Sequence, residues 1–149
     1  MQGKGSRVHH VVGLVRPENL ASVVARMDDV LGASFYPIVQ RPEFGMQMAI
    51  SLDAGVELIA PLSMAAEDPL AQSIEAAGER WISVVVATSD LDAACRRLEA
   101  AGLAVASRQA LMAAPQPFAD RIARFDQVNV DPAAFGGLPL ILAEVETRA

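Results

Sequence analysis

Apolar and polar positions run through this chain twice in the same order. Val-His-His-Val-Val-Gly-Leu-Val at 8–15 is a β-rich run. Leu20, Val23, Val24, Met27, Val30 and Leu31 then recur at helical spacing. Pro17, Glu18 and Asn19 precede them and Gly32 follows, so the pattern predicts a helix opening near Glu18 or Asn19 and stopping at Gly32. A loop with Pro37, Pro42 and Gly45 comes next. Met46 to Leu52 alternates with period two, which predicts a half-buried strand. Asp53-Ala54-Gly55 is a turn, and Val56 to Ala60 is a further strand closed by Pro61.

The second round begins with Trp81 to Ala87, again a strand. Ser89 or Asp90 caps a helix whose stripe is Leu91, Ala94, Cys95, Leu98 and Ala101, with Gly102 as its stop. Residues 103–121 carry little pattern; Ala, Pro, Gln and Ser dominate, and the segment is expected to drape over the mouth of a site as a lid. Ile122 to Val130 and Leu138 to Val145 are strands, separated by turns at Asp131-Pro132 and Gly136-Gly137. The halves therefore read as two β-α-β-β-β modules, about 7–62 and 80–146, within one domain spanning 1–149. Between them Asp68-Pro69 starts a linker helix over about 68–78, ended by Gly78.

Burial turns this order into a fold class, α+β. Each helix has one apolar stripe and must cover one face of its sheet. The other faces are left to pair the modules into a half-barrel with a central cleft. In strand 46–52 the parity Met46, Met48, Ile50, Leu52 is expected under the first helix, and Gln47, Ala49, Ser51 toward the cleft. In strand 81–87 the same logic sends Ile82, Val84 and Val86 under the helix, and Trp81 and Ser83 into the cleft.

Composition narrows the possible roles. With 149 residues, 52% of them hydrophobic, the chain can bury one substantial core and is not disordered. A net charge of −6 argues against nucleic acid or an anionic membrane as partner. No apolar run approaches bilayer length, and the Met1–Arg7 start has no apolar core of a secretory leader. The single Cys95 fits a reducing cytoplasm and, lying on a helix stripe, reads as packing rather than as a nucleophile.

His-His-Val-Val-Gly-Leu-Val at 9–15, Gly-Val-Glu-Leu-Ile-Ala-Pro-Leu at 55–62, Gly-Glu-Arg-Trp-Ile-Ser-Val at 78–84, Ser-Asp-Leu-Asp-Ala-Ala at 89–94 and Gly-Gly-Leu-Pro-Leu-Ile-Leu at 136–142 stand in a telling order. In that order and spacing the sequence resembles the vicinal oxygen chelate superfamily, and within it the methylmalonyl-CoA epimerase-like branch. Glyoxalase I, fosfomycin-resistance proteins, extradiol dioxygenases and bleomycin-binding proteins are other members. The resemblance implies the paired-module fold and a homodimer. It also implies metal-ligand positions at His10, Glu57, Ser83 and Ile141. Two of these are donors, so no standard metal site is expected; a weakly held divalent ion, if any, would rest on His10 and Glu57. Glu144 substitutes for Ile141 only if the last strand bulges, because a shift of three residues reverses the face.

Two functions follow. In one, His10 and Glu57 form an acid/base pair, with His10 as base and Glu57 as its carboxylate partner. The protein is then a glyoxalase-like isomerase, epimerase or lyase on a carbonyl, ring or acyl-thioester compound. Arg124 or Arg80 supplies positive charge, and Gln47 and Ser83 supply hydrogen bonds. In the other, the protein binds a small molecule without chemistry, as bleomycin-binding members do, with Trp81 as a flat platform and Ile141 in the wall. His9 falls on the opposite face from His10 and is expected to be structural.

Overall fold

A computed structural model describes residues 5–149; Met1–Lys4, most of the segment read for a leader, lie outside them. The described residues form two compact units, 10–82 and 83–149 together with 5–9. Among the described residues no helix is long and apolar enough to cross a membrane.

The first unit holds β1 (Arg7–Leu14, from His10 onward), α1 (Leu20–Leu31), β2 (Val39–Arg41), β3 (Met46–Ser51), β4 (Val56–Pro61) and α2 (Pro69–Ala77). Its strands lie in the order β2-β3-β4-β1, with β1 parallel to β4 and the other neighbours antiparallel. The second unit holds β5 (Arg80–Ala87, from Ser83 onward), α3 (Leu91–Ala100), β6 (Gln109–Ala110), β7 (Ile122–Val130) and β8 (Leu140–Thr147). Its order, β5-β8-β7-β6, repeats the first, again with one parallel pair, β5 and β8. Each unit is thus a β-α-β-β-β module, and the class is mixed α+β. The pattern marked three strands per half; the fourth, β2 or β6, is a fragment of three or two residues, too short to show a period.

Caps explain where the helices begin. Asp68 accepts from the backbone N–H of Leu70 and Ala71 at 2.8 and 3.2 Å, with Pro69 in the first turn of α2. Asp90 accepts from Ala93 N–H at the start of α3. The free Leu91 N–H there is taken by Glu144 Oε2, reaching across from β8 at 3.0 Å. α1 has no side-chain cap; Asn19 turns its carboxamide to Glu79 instead, and Glu79 also accepts from Arg16 N–H. α1 ends on Gly32 at φ 62°, a left-handed position where glycine costs least.

The α1 stripe packs on one face of its sheet. Leu20, Val23, Val24 and Met27 meet Val11, Val15, Val56, Leu58 and Ala60. Register then settles the orientation of β3. Ala49 pairs with Leu58, Gln47 with Ala60 and Ser51 with Val56, so the small and polar parity lies on the α1 face. Met48 and Ile50 lie on the opposite face, which corrects the expectation from the pattern. The reason is burial on both sides: Met48, Ala49, Ile50 and Ser51 are all buried. Alternation reports the inward face only when the other face is wet.

In the second unit α3 packs Leu91, Ala94, Cys95 and Leu98 against Val86, Val128, Val130, Leu140 and Leu142. Val86 therefore faces its helix, as the pattern predicts. The segment 103–121 is fastened rather than free. Val105 bridges to Val130, and β6 pairs with β7. Arg108 ties Asp92 on α3 to Asp126 on β7. Phe118 is buried against Phe125, ring centroids 6.1 Å apart. These ties replace the lid reading with that of a strap.

Candidate functional site

β1 and β4 run parallel with Val12 opposite Glu57, so His10 and Glu57 project from the same face, one pleat apart. That face is the one α1 leaves alone. Across it the pair closes to a hydrogen bond, His10 Nε2 to Glu57 Oε2 at 3.0 Å. With the carboxylate ionised, Glu57 can only accept, and Nε2 is then the donor of this bond. The surroundings are apolar: Val12 beside Glu57 on β1, Ile50 beside it on β3, Ile59 one pleat along. All three are buried. A hydrogen bond in such a setting is stronger than the same bond in water. The two partners differ in access: the His10 side chain is 3% exposed and that of Glu57 is 17%.

The other expected site residues scatter. Gln47 lies on the α1 face, and its Nε2 donates to the Pro61 carbonyl at 3.3 Å. Trp81 is no platform beside the pair. Its ring lies over Gly13, on the side that Gly13 shares with Leu58, the α1 face. Arg124 also falls on a helix face, since Arg124, Asp126 and Val128 share one parity of β7 and Val128 packs under α3. Its guanidinium donates to Asp126, Glu144 and Glu146. Asp126 in particular pushes its pKa further up, so the cation is fixed in a structural network. Arg80 is spent on Ser73 and the Gly78 carbonyl, closing the end of α2. Both guanidinium groups are engaged in these structural contacts.

Ile141 pairs with Val85 and Asn129 on the α3-free face of the second unit. Val84 pairs with Leu140 on the α3 face, so alternation turns Ser83 to the side of Ile141. Glu144 lies on the α3 face, and the β7–β8 register is regular from Ile141 to Glu144. The bulge that would turn Glu144 round is absent there; the irregularity in this pair sits at Ile122/Arg124. His9 places its ring edge-on to Phe125, centroids 5.6 Å apart, in the second unit. The carboxylate–guanidinium network around Arg108 and Arg124 had no signal in the sequence, because its members lie on separate strands, a helix and the strap.

The donor set is small for a divalent metal. Two ligand atoms 3.0 Å apart can span one edge of an octahedron with bonds of about 2.1 Å. Among the described residues, however, no group of three or more His, Cys, Asp or Glu side chains converges. The remaining positions implied by the resemblance hold a neutral hydroxyl and a hydrocarbon. These residues do not fit a tightly held metal, which wants at least three firm protein ligands.

A doubled β-α-β-β-β module of mixed α+β class, with a polar pair on the sheet face that α1 does not cover, defines a protein of the vicinal oxygen chelate type. Residues 9–119 match the family model of the Glyoxalase/Bleomycin resistance protein/Dioxygenase superfamily, and the chain belongs to that superfamily. No curated protein is matched by its sequence. Among solved structures it is similar to methylmalonyl-CoA epimerase from Mycobacterium tuberculosis, at 24% identity and TM-score 0.68, over 92% of this chain and 86% of that one. A hypothetical protein from Bacillus halodurans aligns at 16% identity and TM-score 0.70, over 98% and 99% of the two chains. A variant of Streptomyces coelicolor methylmalonyl-CoA epimerase, in complex with 2-nitronate-propionyl-CoA, aligns at 16% identity and TM-score 0.64, over 93% and 96%. At these identities the likeness is one of fold.

Proposed function

We propose that this chain is an enzyme of the superfamily that moves a proton beside a carbonyl group. Its reaction class is that of an isomerase, epimerase or lyase, and its substrate a small carbonyl, ring or acyl-thioester compound. The observation that carries this reading is the His10–Glu57 hydrogen bond of 3.0 Å, set among buried Val12, Ile50 and Ile59. A strand interior keeps a carboxylate and an imidazole in apolar surroundings at a cost, and structural need does not account for both. General acid/base catalysis by such a pair contributes about 10²–10⁴-fold. No step is assigned to a metal. A homodimer in the cytoplasm belongs to the same proposal.

Solved neighbours named as methylmalonyl-CoA epimerases, one in complex with methylmalonyl-CoA, make that thioester the first substrate to test. The assay is α-proton exchange in D₂O, read by mass on methylmalonyl-CoA and a panel of other acyl-CoA thioesters. Exchange by the wild type well above that of Glu57→Gln supports the proposal. Equal rates across the panel refute it. A second reading, small-molecule binding without chemistry, is favoured by Ser83 and Ile141 at two of the implied ligand positions. Ligand-induced thermal stabilisation with no exchange would select it.

A further inference from the structure

We infer that the pair is ordered, with Glu57 as the group that meets substrate and His10 as a positioning residue behind it. The inference rests on the proposed proton-transfer function and reverses the roles that the sequence suggests. Access decides the order. The His10 side chain is 3% exposed and Glu57 17%, so a substrate reaches the carboxylate before the ring. The direction of the bond agrees. A Glu57 that acts as the base is ionised and can only accept, so across the 3.0 Å contact Nε2 is the donor, and an Nε2 that donates is not itself the base. Oε2 is held by the ring, so Oε1 is the oxygen left to face substrate.

β-strand geometry gives the ring its purpose. A glutamate has three side-chain torsions and, on an ordered strand, still swings its carboxylate. Val12 and Ile50 flank Glu57 but offer it no polar contact. The His10 donor fixes the carboxylate in plane and position, as a supporting hydrogen bond does for a reacting group. In the step so drawn, Glu57 Oε1 takes the proton next to the substrate carbonyl, and the C–H electron pair moves toward the carbonyl oxygen. The new carboxylic acid exchanges its proton with solvent and returns one to carbon. No redox partner is needed, and atoms and charge balance.

Two measurements separate this inference from the function it rests on. The first needs no turnover. The folded wild type is treated with a water-soluble carbodiimide plus an amine, and separately with diethylpyrocarbonate, and mapped by mass spectrometry. Glu57 modified while His10 stays unmodified until denaturation supports the order. His10 modified first, or Glu57 unreactive in the folded protein, overturns it, even if no thioester on the panel exchanges.

The second uses the exchange assay on whichever thioester responds. Glutamine places an N–H donor the same number of bonds from Cα as His10 Nε2 but cannot act as a base. His10→Gln is expected within about 10-fold of wild type, and Glu57→Gln down by at least about 100-fold. His10→Leu, which removes the donor, is expected to lower kcat with little change in KM, because it loosens the carboxylate without touching substrate. A His10→Gln loss as deep as that of Glu57→Gln overturns the inference and makes His10 the base.

Discussion

Gly13 is the place where one methyl group should have a measurable effect. It lies in β1 opposite Leu58, on the face covered by α1. A Cβ there would stand 2.9 Å from Leu58 Cδ2 and 3.2 and 3.3 Å from two ring carbons of Trp81. Carbon atoms at rest sit about 3.5–4.0 Å apart, so the Leu58 contact is too short by more than half an ångström. Trp81 is 57% exposed and can swing out. Leu58 is 2% exposed and packed with Val56, Ala60 and the α1 stripe, so it has nowhere to retreat. Overpacking of this kind costs about 1–3 kcal/mol, and replacing a strand glycine returns about 0.5–1 kcal/mol. Gly13→Ala is therefore expected to destabilise by about 1–2 kcal/mol. With a urea slope of about 2 kcal/mol/M, the midpoint falls by about 0.5–1 M. The assay is urea unfolding by fluorescence and circular dichroism in parallel. Trp81 is the chain's single tryptophan, so the emission reports the ring that must move. A companion variant fixes the cause: once Leu58→Ala has removed the clashing methyl, adding Gly13→Ala should cost nothing more. An unchanged or raised midpoint in Gly13→Ala alone would refute the argument.

Four further outcomes are expected. Phe118→Ala should cost about 3–5 kcal/mol, because the ring is buried on Phe125; a loss below 1 kcal/mol in thermal unfolding would mean the strap is not anchored there. Arg108→Met should cost about 1 kcal/mol or less, since the guanidinium is partly exposed, yet speed amide exchange over 103–113. High salt should produce the same exchange pattern in the wild type, and its failure to do so would dissociate the ion pairs from the strap. Burial first, then the charges of Glu99 and Asp92, push the Cys95 thiol pKa up. Thiolate is then scarcer than in an ordinary thiol at any pH below the raised value, so iodoacetamide at pH 8 should react more slowly with the folded protein than with the urea-unfolded chain. Mn²⁺, Ni²⁺ or Zn²⁺ should raise Tm little; a rise of several degrees that vanishes in His10→Ala would reveal a third ligand.

The sequence showed the elements well where a single physical cause produced them. Gly32, Gly78 and Asp68 mark helix ends because a left-handed φ or an orphan N–H leaves few residue choices. The His10–Glu57 pair was legible through the resemblance and through a carboxylate interrupting an apolar strand. The orientation of β3 was not, because both of its faces are buried and hydrophobicity then carries no direction. Trp81 was misplaced for a related reason: its neighbour is a glycine, and a missing side chain on another strand leaves no local trace. Arg124 read as a spare cation because its three carboxylate partners come from β7 and β8, a pairing that spacing along the chain does not disclose.

The Glu79 tie has a consequence for how this protein can be divided. Glu79 accepts from Arg16 N–H and Asn19 Nδ2, and Glu75 from Arg16 Nη2, some sixty residues away in sequence. The β-α-β-β-β elements of the first unit end with β4 at Pro61, but the segment leading into α1 is held by Glu75 in α2 and Glu79 just after it. The β-α-β-β-β element set is therefore shorter than the compact unit, which runs on to residue 82. A gene fragment cut after β4 leaves Arg16 and the Asn19 carboxamide without these carboxylates, whereas one cut after residue 82 carries its own fastening. A recombination event that swapped modules between such proteins would have to move the α2 segment with the first module.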